Sequence, residues 1–494
     1  MTDTVIGIDS STTSTKAIAW DASGENIAEG TMPLSTFSPV MSYYEQNAED
    51  WWNSAAGALK KVTQKINKEN IRGIAISNQR ETFVGLDNKG NPVRPAIIWL
   101  DERCKCMVDK FAGIVGDDRI HQITGKPKDY APVVYRLAWM KEKENHLFRE
   151  VSRFCDVHAY LVYKLTGQFR TSWASADPMG IFDLERKTWS EDILKHLDIT
   201  PDQLPVPYSP GTIIGHVTEQ ASELTGLKAG TPVIAGGGDG QAAGLGVNAL
   251  TGDRAYLNLG TAVVSGSYLS QYIVDKAFRT MVSCSDKGYY CETSLRAGTF
   301  LIDWFLHKVL RSDPGQKEKT YDDLDNEAKN IPIGSEGLMV LPYWNAVMNP
   351  WWDPDARGCI IGFSSGHHRG HIYRAILEGI AMEQSLATSL VEKVTGTEIK
   401  EFALIGGGAK NKLWRQTFAD ACDKIILSME TDEASSLGAG IAAATGLGWF
   451  NSFNDAAANM VHVKGITEPD PENVRLFRDL LPVYRKIYPT IRMI

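Results

Sequence analysis

Short apolar runs that stop on a glycine- or hydroxyl-rich turn recur in both halves of the chain. This pattern narrows the fold more than any single motif. Val5–Asp9 runs into Ser10–Thr15 and then Lys16–Trp20, and Val233–Ala235 runs into Gly236–Gly238. Ala255–Leu259 runs into Gly260-Thr261 and then Val263–Tyr268, and Phe402–Ile405 runs into Gly406–Asn411. Runs of this length read as buried strands. Helical periods lie between them: Trp51, Ala55, Leu59, Val62 and Ile66 after a cap at Asn47, and His371–Val394 closed by Gly396. Strands that alternate with helices and hairpins in both halves predict α/β domains with mixed sheets. The chain has 494 residues, whereas a single core stops growing near about 250–300 residues. Two domains of similar size are expected, divided soon after Gly246. The strand–turn–strand plan that opens each half hints at two domains built alike.

The same reading places strands at Ile71–Ser77 and Ala96–Leu100, with a hairpin turning at Asn88-Lys89-Gly90. Residues 102–170 read mainly as helices and 170–232, with prolines at 201, 205, 207 and 210, as irregular. Gly298-Thr299 opens a helix through Leu310, and 311–330 looks like a polar, solvated excursion. Gly396 onward gives a strand, a glycine turn, a helix through Ala421 and a last strand at Ile425–Leu427. Ser435–Ala444 is a helix of small residues that suits close packing against a neighbour or a flat ring.

A net charge of −9 without a basic stripe argues against a nucleic-acid role. The start, MTDTVIGID, lacks the basic and apolar regions of a signal peptide, and no apolar segment is long enough for a bilayer. Seven cysteines in no framework spacing fit reduced thiols in a cytoplasm. His367, His368 and His371 have no Cys or acid beside them, so they read as a loop and helix start rather than a metal site.

The chemistry centres on TPVIAGGGDGQAAGLG, residues 231–246, where one carboxylate, Asp239, follows an apolar run and three glycines. Glycines there allow a sharp turn and a close approach. An acid held in that way suits a general base, and equally a cap for the next helix. No GxxxxGK[ST] is present, and the two GxGxxA stretches, Gly238–Ala243 and Gly438–Ala443, are misplaced for a dinucleotide fold. The glycine and hydroxyl turns could instead assemble a phosphoryl-transfer site across a cleft. Arg80-Glu81 at a strand end offers a donor and an acceptor for adjacent hydroxyls, or a surface salt bridge.

The segments resemble, in order and over nearly the whole chain, the FGGY family of carbohydrate kinases. GIDSSTTSTKAIAWD (7–21) is similar to that family's first phosphate hairpin, and YYEQNAEDWW (43–52) to the start of its first long helix. ISNQRETFVGLD (76–87) resembles the polyol-binding segment of glycerol kinases, and 229–246 carries the catalytic Asp of the family. NLGTAVV (258–264) resembles the second phosphate loop, and 356–381 fits the C-terminal signature apart from Phe363. Residues 405–420 and 434–444 resemble xylulokinases at the adenosine site. Departures are Ser11 in place of Gly, Arg136 in place of Lys, and Gly240 where glycerol kinases carry Gln, with Gln241 next.

The resemblance implies two actin-like (ribonuclease H-like) α/β domains with mixed sheets around a closing cleft. Residues 1–246 would bind sugar and 247–494 would bind ATP. Asp239 would be the general base, and Arg80, Glu81, Trp99 and Gln241 would form the substrate pocket. Thr12, Thr13, Lys16, Gly260 and Thr261 would touch the phosphates, Gly407, Gly408 and Asn411 the adenosine, and Asp9 would hold Mg²⁺. The expected substrate is a xylulose-like ketose, with glycerol or a tetritol as the alternative. An Hsp70- or actin-like ATPase switch is the alternative of another class. A cytoplasmic homodimer acting on a small molecule, without nucleic acid or membrane, completes the expectation.

Overall fold

The computed structural model describes residues 2–313, 315 and 317–493. Seven-residue apolar runs pair first. Strands β1 (Thr4–Ser10) and β2 (Ser14–Trp20) form an antiparallel hairpin that sets Asp9 opposite Lys16. Strand β3 (Asn26–Pro33) extends the hairpin, and β4 (Ile71–Asn78) pairs parallel to β1 after the crossover helix α1 (Ala48–Thr63). Strands β5 (Ile213–His216) and β6 (Pro232–Gly238) complete a six-stranded sheet in the order β5-β6-β4-β1-β2-β3.

The second sheet repeats this plan. Strands β7 (Arg254–Leu259) and β8 (Val263–Leu269) form its antiparallel hairpin. Strands β9 (Arg279–Val282) and β10 (Tyr289–Leu295) extend it on one side. On the other side β11 (Glu401–Ile405) and β12 (Ile425–Met429) pair parallel, and β13 (Val463–Thr467) closes the edge. The order is β9-β10-β8-β7-β11-β12-β13. Antiparallel strands, three in the first sheet and four in the second, adjoin two parallel ones, with the hairpin in the same place. The two halves are built alike, as mixed α/β sheets with helices packed on them.

Several local expectations change. The three glycines before Asp239 are not a turn: they finish β6, and the chain passes straight into α2 (Asp239–Gly246). Ala96–Leu100 pairs only over Ala96–Ile97. Asp101 then draws the chain into a turn by accepting from the Tyr44 and Arg103 amides at 2.6 and 2.9 Å, which leaves Trp99 outside the sheet. The segment 170–232 is not irregular: it holds short strands such as Arg170–Ser172 and Val206–Tyr208, and helices such as Glu191–Leu197 and Glu219–Thr225. Within 311–330, where residues 314 and 316 lie outside the described ones, α3 (Lys317–Ala328) packs on the long helix α4 (Arg369–Thr395) and buries Leu324 and Ala328. Its one apolar stripe was too narrow to stand out among charges. The edge strand β13 is half exposed and carries little apolar signal.

His368 caps α4, accepting from the Gly370 amide at 3.1 Å, so the histidine cluster is a helix start. All seven cysteines are free thiols. Among the described residues no helix is long and apolar enough to cross a membrane.

Helix α5 (Lys412–Cys422) follows the glycine turn after β11, and α6 (Ala434–Gly446) is the helix of small residues. Its close neighbours are α2 and β1, and at Gly440 the indole ring of Trp20. A Cβ on Gly438 would overlap the Ala242 carbonyl, one on Gly246 the Ala434 carbonyl, and one on Gly7 the Ser436 carbonyl. Backbones here touch without intervening side chains. Ser436 Oγ donates to the Gly7 carbonyl at 2.9 Å, and Trp20 Nε1 donates to Ser436 Oγ at 3.2 Å. Gly438→Ala should therefore lower stability by about 1–3 kcal/mol through overpacking. Gly113→Ala, in an exposed helix with no atom near the new methyl, should raise it by about 0.5–1 kcal/mol. Urea unfolding of both variants checks the pair, and matched shifts would show that the crossing tolerates a methyl group.

Candidate active site

Three backbone approaches seat Asp239. Gly236 passes so close to β4 that a Cβ would overlap the Ile76 carbonyl, and Gly237 packs on Ala174 and Cys284. Gly238 lies under the Arg80 side chain and takes the N-cap position, which makes Asp239 the first residue of α2. Asp239 therefore does not cap the helix. Its Oδ1 accepts from the Gly240 amide at 2.7 Å and pairs with Arg80 Nε at 2.8 Å. The side chain is 42% exposed, so one face opens to solvent while protein crowds the other. That crowding raises its proton affinity, and Arg80 and the Gly240 amide pull it back.

The β1–β2 hairpin stands beside it. Asp9 accepts from Ser77 Oγ at 3.0 Å, and its pKa is pushed up to about 7, first by burial and then by the negative charge of Asp239. Lys16 pairs with Glu433 at the start of α6. Ser435 Oγ, two residues on, donates to the Asp239 carbonyl at 3.1 Å. Thr13 is exposed at the hairpin tip. Thr12 is tied down: Trp99 Nε1 donates to its Oγ1 at 2.8 Å, and Gln46 Nε2 to its carbonyl at 2.7 Å. Trp99 keeps 40% of its surface exposed. Arg136, wholly buried, fixes the same turn by donating to the Trp99 and Asp101 carbonyls at 2.9 and 3.2 Å.

Arg80 and Glu81 do not pair with each other. Arg80 reaches Asp239 on one side and Glu292 Oε2, at 2.8 Å, on the other. Glu81 meets Arg279, and Arg279 Nε donates to Glu292 Oε1 at 2.7 Å. The result is an alternating chain, Glu81–Arg279–Glu292–Arg80–Asp239, that crosses from the first sheet's loops to strands of the second. Gln241 is buried, 1% exposed, and donates to the Ala174 carbonyl at 2.9 Å, with Arg80 at 3.5 Å from its oxygen. It lies behind Arg80 rather than in the open. Glu292, Arg279 and Ser77 escaped the sequence reading. A lone acid in the buried strand YYCETSL and a lone arginine in RTMV were the signals that marked the first two.

In the second half Gly260 and Thr261 form the β7–β8 turn, held by amides of Gly298 and Thr299 at 2.9 Å each. Gly407 is exposed, with space where a side chain would stand, and Gly408 packs on Leu259 and Trp414. Asn411 caps α5, accepting from the Trp414 amide at 2.8 Å, while its Nδ2 donates to Asp325 at 3.0 Å. A structural task thus already accounts for the Asn side chain.

Two family models cover the chain: the N-terminal domain of the FGGY family of carbohydrate kinases over residues 4–246, and the C-terminal domain of the same family over 255–447. The chain belongs to the FGGY family of carbohydrate kinases. It is 29% identical to the xylulose kinase of Bacillus subtilis, over 98% of this chain and 96% of that one. It is 25% identical to the gluconokinase of the same organism, over 98% and 95%. The crystal structure of gluconate kinase from Lactobacillus acidophilus superimposes with a TM-score of 0.93 at 25% identity, covering 99% of this chain and 98% of that one. The fold is the two-domain actin-like one, and the protein is an ATP-dependent kinase for a small sugar or polyol. This sets aside the ATPase-switch alternative.

Gly240 is the departure that the Arg80 chain explains. A Cβ there would lie 2.8 Å from Arg80 Nη2 and 2.9 Å from Glu292 Oε2. Gly240→Ala should push Arg80 off Glu292. Misplacement on this scale costs about 10²-fold in turnover. Steady-state kinetics at saturating ATP checks this, and unchanged sugar turnover would mean that Arg80 tolerates the shift.

Proposed function

We propose that this kinase moves the γ-phosphate of ATP to a hydroxyl of a neutral, xylulose-like ketose. One observation carries the choice: the guanidiniums beside the base are already paired with acids. Arg80 faces Asp239 and Glu292, Arg279 faces Glu81 and Glu292, and Lys126 faces Asp177. Lys187 buries its ammonium without a hydrogen-bond partner, over the Tyr289 ring, 3.8 Å from the centroid. A carboxylate substrate such as gluconate would be desolvated against guanidiniums already taken by acids, which is costly. A neutral polyhydroxy chain loses only hydroxyl hydration, which Arg80 and Glu81 replace.

In this reading residues 1–246 bind the sugar and 247–494 bind ATP. Arg80 donates to substrate hydroxyls, Glu81 accepts, and the exposed face of Trp99 covers carbon–hydrogen surface. Gln241 supports Arg80 from behind. The substrate oxygen attacks the γ-phosphorus, the bond to the ADP oxygen breaks, and the hydroxyl proton passes to Asp239. Thr12, Thr13, Lys16, Gly260 and Thr261 surround the phosphates, and Gly407, Gly408 and Asn411 border the adenosine. Among the described residues no cluster of three or more acids, histidines or cysteines could hold a metal ion. That fits magnesium, which takes one or two carboxylates and completes its shell with waters and phosphates. Asp9 would hold it, directly or through water: burial, and then the charge of Asp239, make its carboxylate resist ionisation, and a divalent charge would offset both. When bound, the ion neutralises phosphate charge. The halves close on their ligands and keep water from the γ-phosphate. The protein works as a cytoplasmic homodimer.

Asp239→Asn keeps the size and removes the proton acceptor. We expect kcat to fall by roughly 10²–10⁴-fold with ATP binding and thermal midpoint nearly unchanged. Near-normal turnover in that variant would end the base assignment. ADP release with xylulose, other pentuloses, glycerol, tetritols and gluconate tests the substrate. Ketopentoses should lead. Glycerol or a tetritol in first place would favour the polyol alternative suggested by 76–87, and gluconate in first place would overturn the charge argument.

A further inference from the structure

Glu292 is the most strongly bound carboxylate beside the reaction centre, yet it points at no open space. Its side chain is fully buried. Oε2 accepts from Arg80 Nη1 at 2.8 Å and from the Tyr256 hydroxyl at 2.6 Å, and Oε1 accepts from Arg279 Nε at 2.7 Å. Burial alone would favour the neutral acid, but the charges of Arg279 and Arg80 hold its pKa down at about 2. An acid buried so completely, and ionised at every working pH, is costly unless both of its oxygens are fully met. Here each oxygen binds a guanidinium that leads to a different part of the substrate pocket.

Arg80 leads to Asp239 and Arg279 leads to Glu81. Arg80, Glu81 and Asp239 come from the first half of the chain, on the loop after β4 and the start of α2. Glu292, Arg279 and Tyr256 come from β10, β9 and β7 of the second sheet. The groups that would touch sugar are therefore aimed by a carboxylate of the other half.

We propose that Glu292 is a positioning residue for phosphoryl transfer. It holds the Arg80 guanidinium against Asp239 and, through Arg279, holds Glu81 in register with it, so the sugar pocket takes its shape only when the second sheet is docked. This rests on the sugar-pocket reading of Arg80 and Glu81 given above.

The test is a double-mutant cycle read on sugar kinetics. Glu292→Gln should lower kcat/KM for the sugar by about 10²-fold, with KM for ATP held within about twofold. Residues that act through one another are not additive. In an Arg80→Ala background, measured by single turnover, Glu292→Gln should thus cost distinctly less, the remainder running through Arg279 and Glu81. Full additivity, or equal loss for sugar and ATP, would overturn the proposal. If Glu292→Gln does not fold, Tyr256→Phe takes one hydrogen bond from the same oxygen. Its smaller loss should likewise shrink in the Arg80→Ala background, and a loss undiminished there, or no loss at all, would overturn it. The cycle stands apart from the base assignment, because Asp239→Asn alone decides that.

Discussion

Three backbones meet without side chains between them at Gly7, Gly246 and Gly438, and the active site depends on that contact. Helix α6 belongs to the second half of the sequence, yet it lies on β1 and α2 of the first. This docking sets the Lys16–Glu433 pair and the Ser435 hydroxyl beside Asp9 and Asp239. Larger residues at these positions would separate the elements by the width of a methyl group or more. Close packing leaves no slack to absorb that.

Electrostatics then grades the acids in the cleft. Burial makes Asp9 and Asp239 each hold a proton more tightly than an exposed Asp, with Asp239 adding to this at Asp9 and with Glu292 and Glu81 adding to it at Asp239. Glu292 is more deeply buried and yet the stronger acid, because two guanidiniums bind it. Burial and pairing push in opposite directions: pairing wins at Glu292, which two guanidiniums bind, and burial wins at Asp239, which one guanidinium binds. The cleft thus holds two carboxylates suited to take up a proton or a cation beside one that stays a fixed charge.

Much of this was legible in the residues. Short apolar runs found β1, β2, β4, β7 and β8, and the 3.6-residue period found α1 and α4, because each buries its apolar residues. They missed α3, whose apolar stripe is narrow, and β13, an edge strand with half its surface in water. The glycines before Asp239 were noted as a place of close approach, and they are. They were read as a turn because the sequence does not reveal that Ile76 of β4 would need the space of the missing side chain. Of the site residues, Asp9, Arg80 and Asp239 come together, Glu81 joins them through Arg279 and Glu292, and Trp99 reaches Thr12, whereas Gln241 is turned inward against Ala174.

By itself the sequence determined the class of architecture, since alternating strands and helices with repeated turn motifs admit few arrangements. It also determined the order of the family's motifs, which identifies the chemistry. Tertiary structure alone decided who pairs with whom. Arg80 and Glu81 are neighbours in sequence, but each is bound across the interface to a residue more than a hundred positions away. Charge partners are chosen by distance in space, and a one-dimensional pattern carries no measure of that distance.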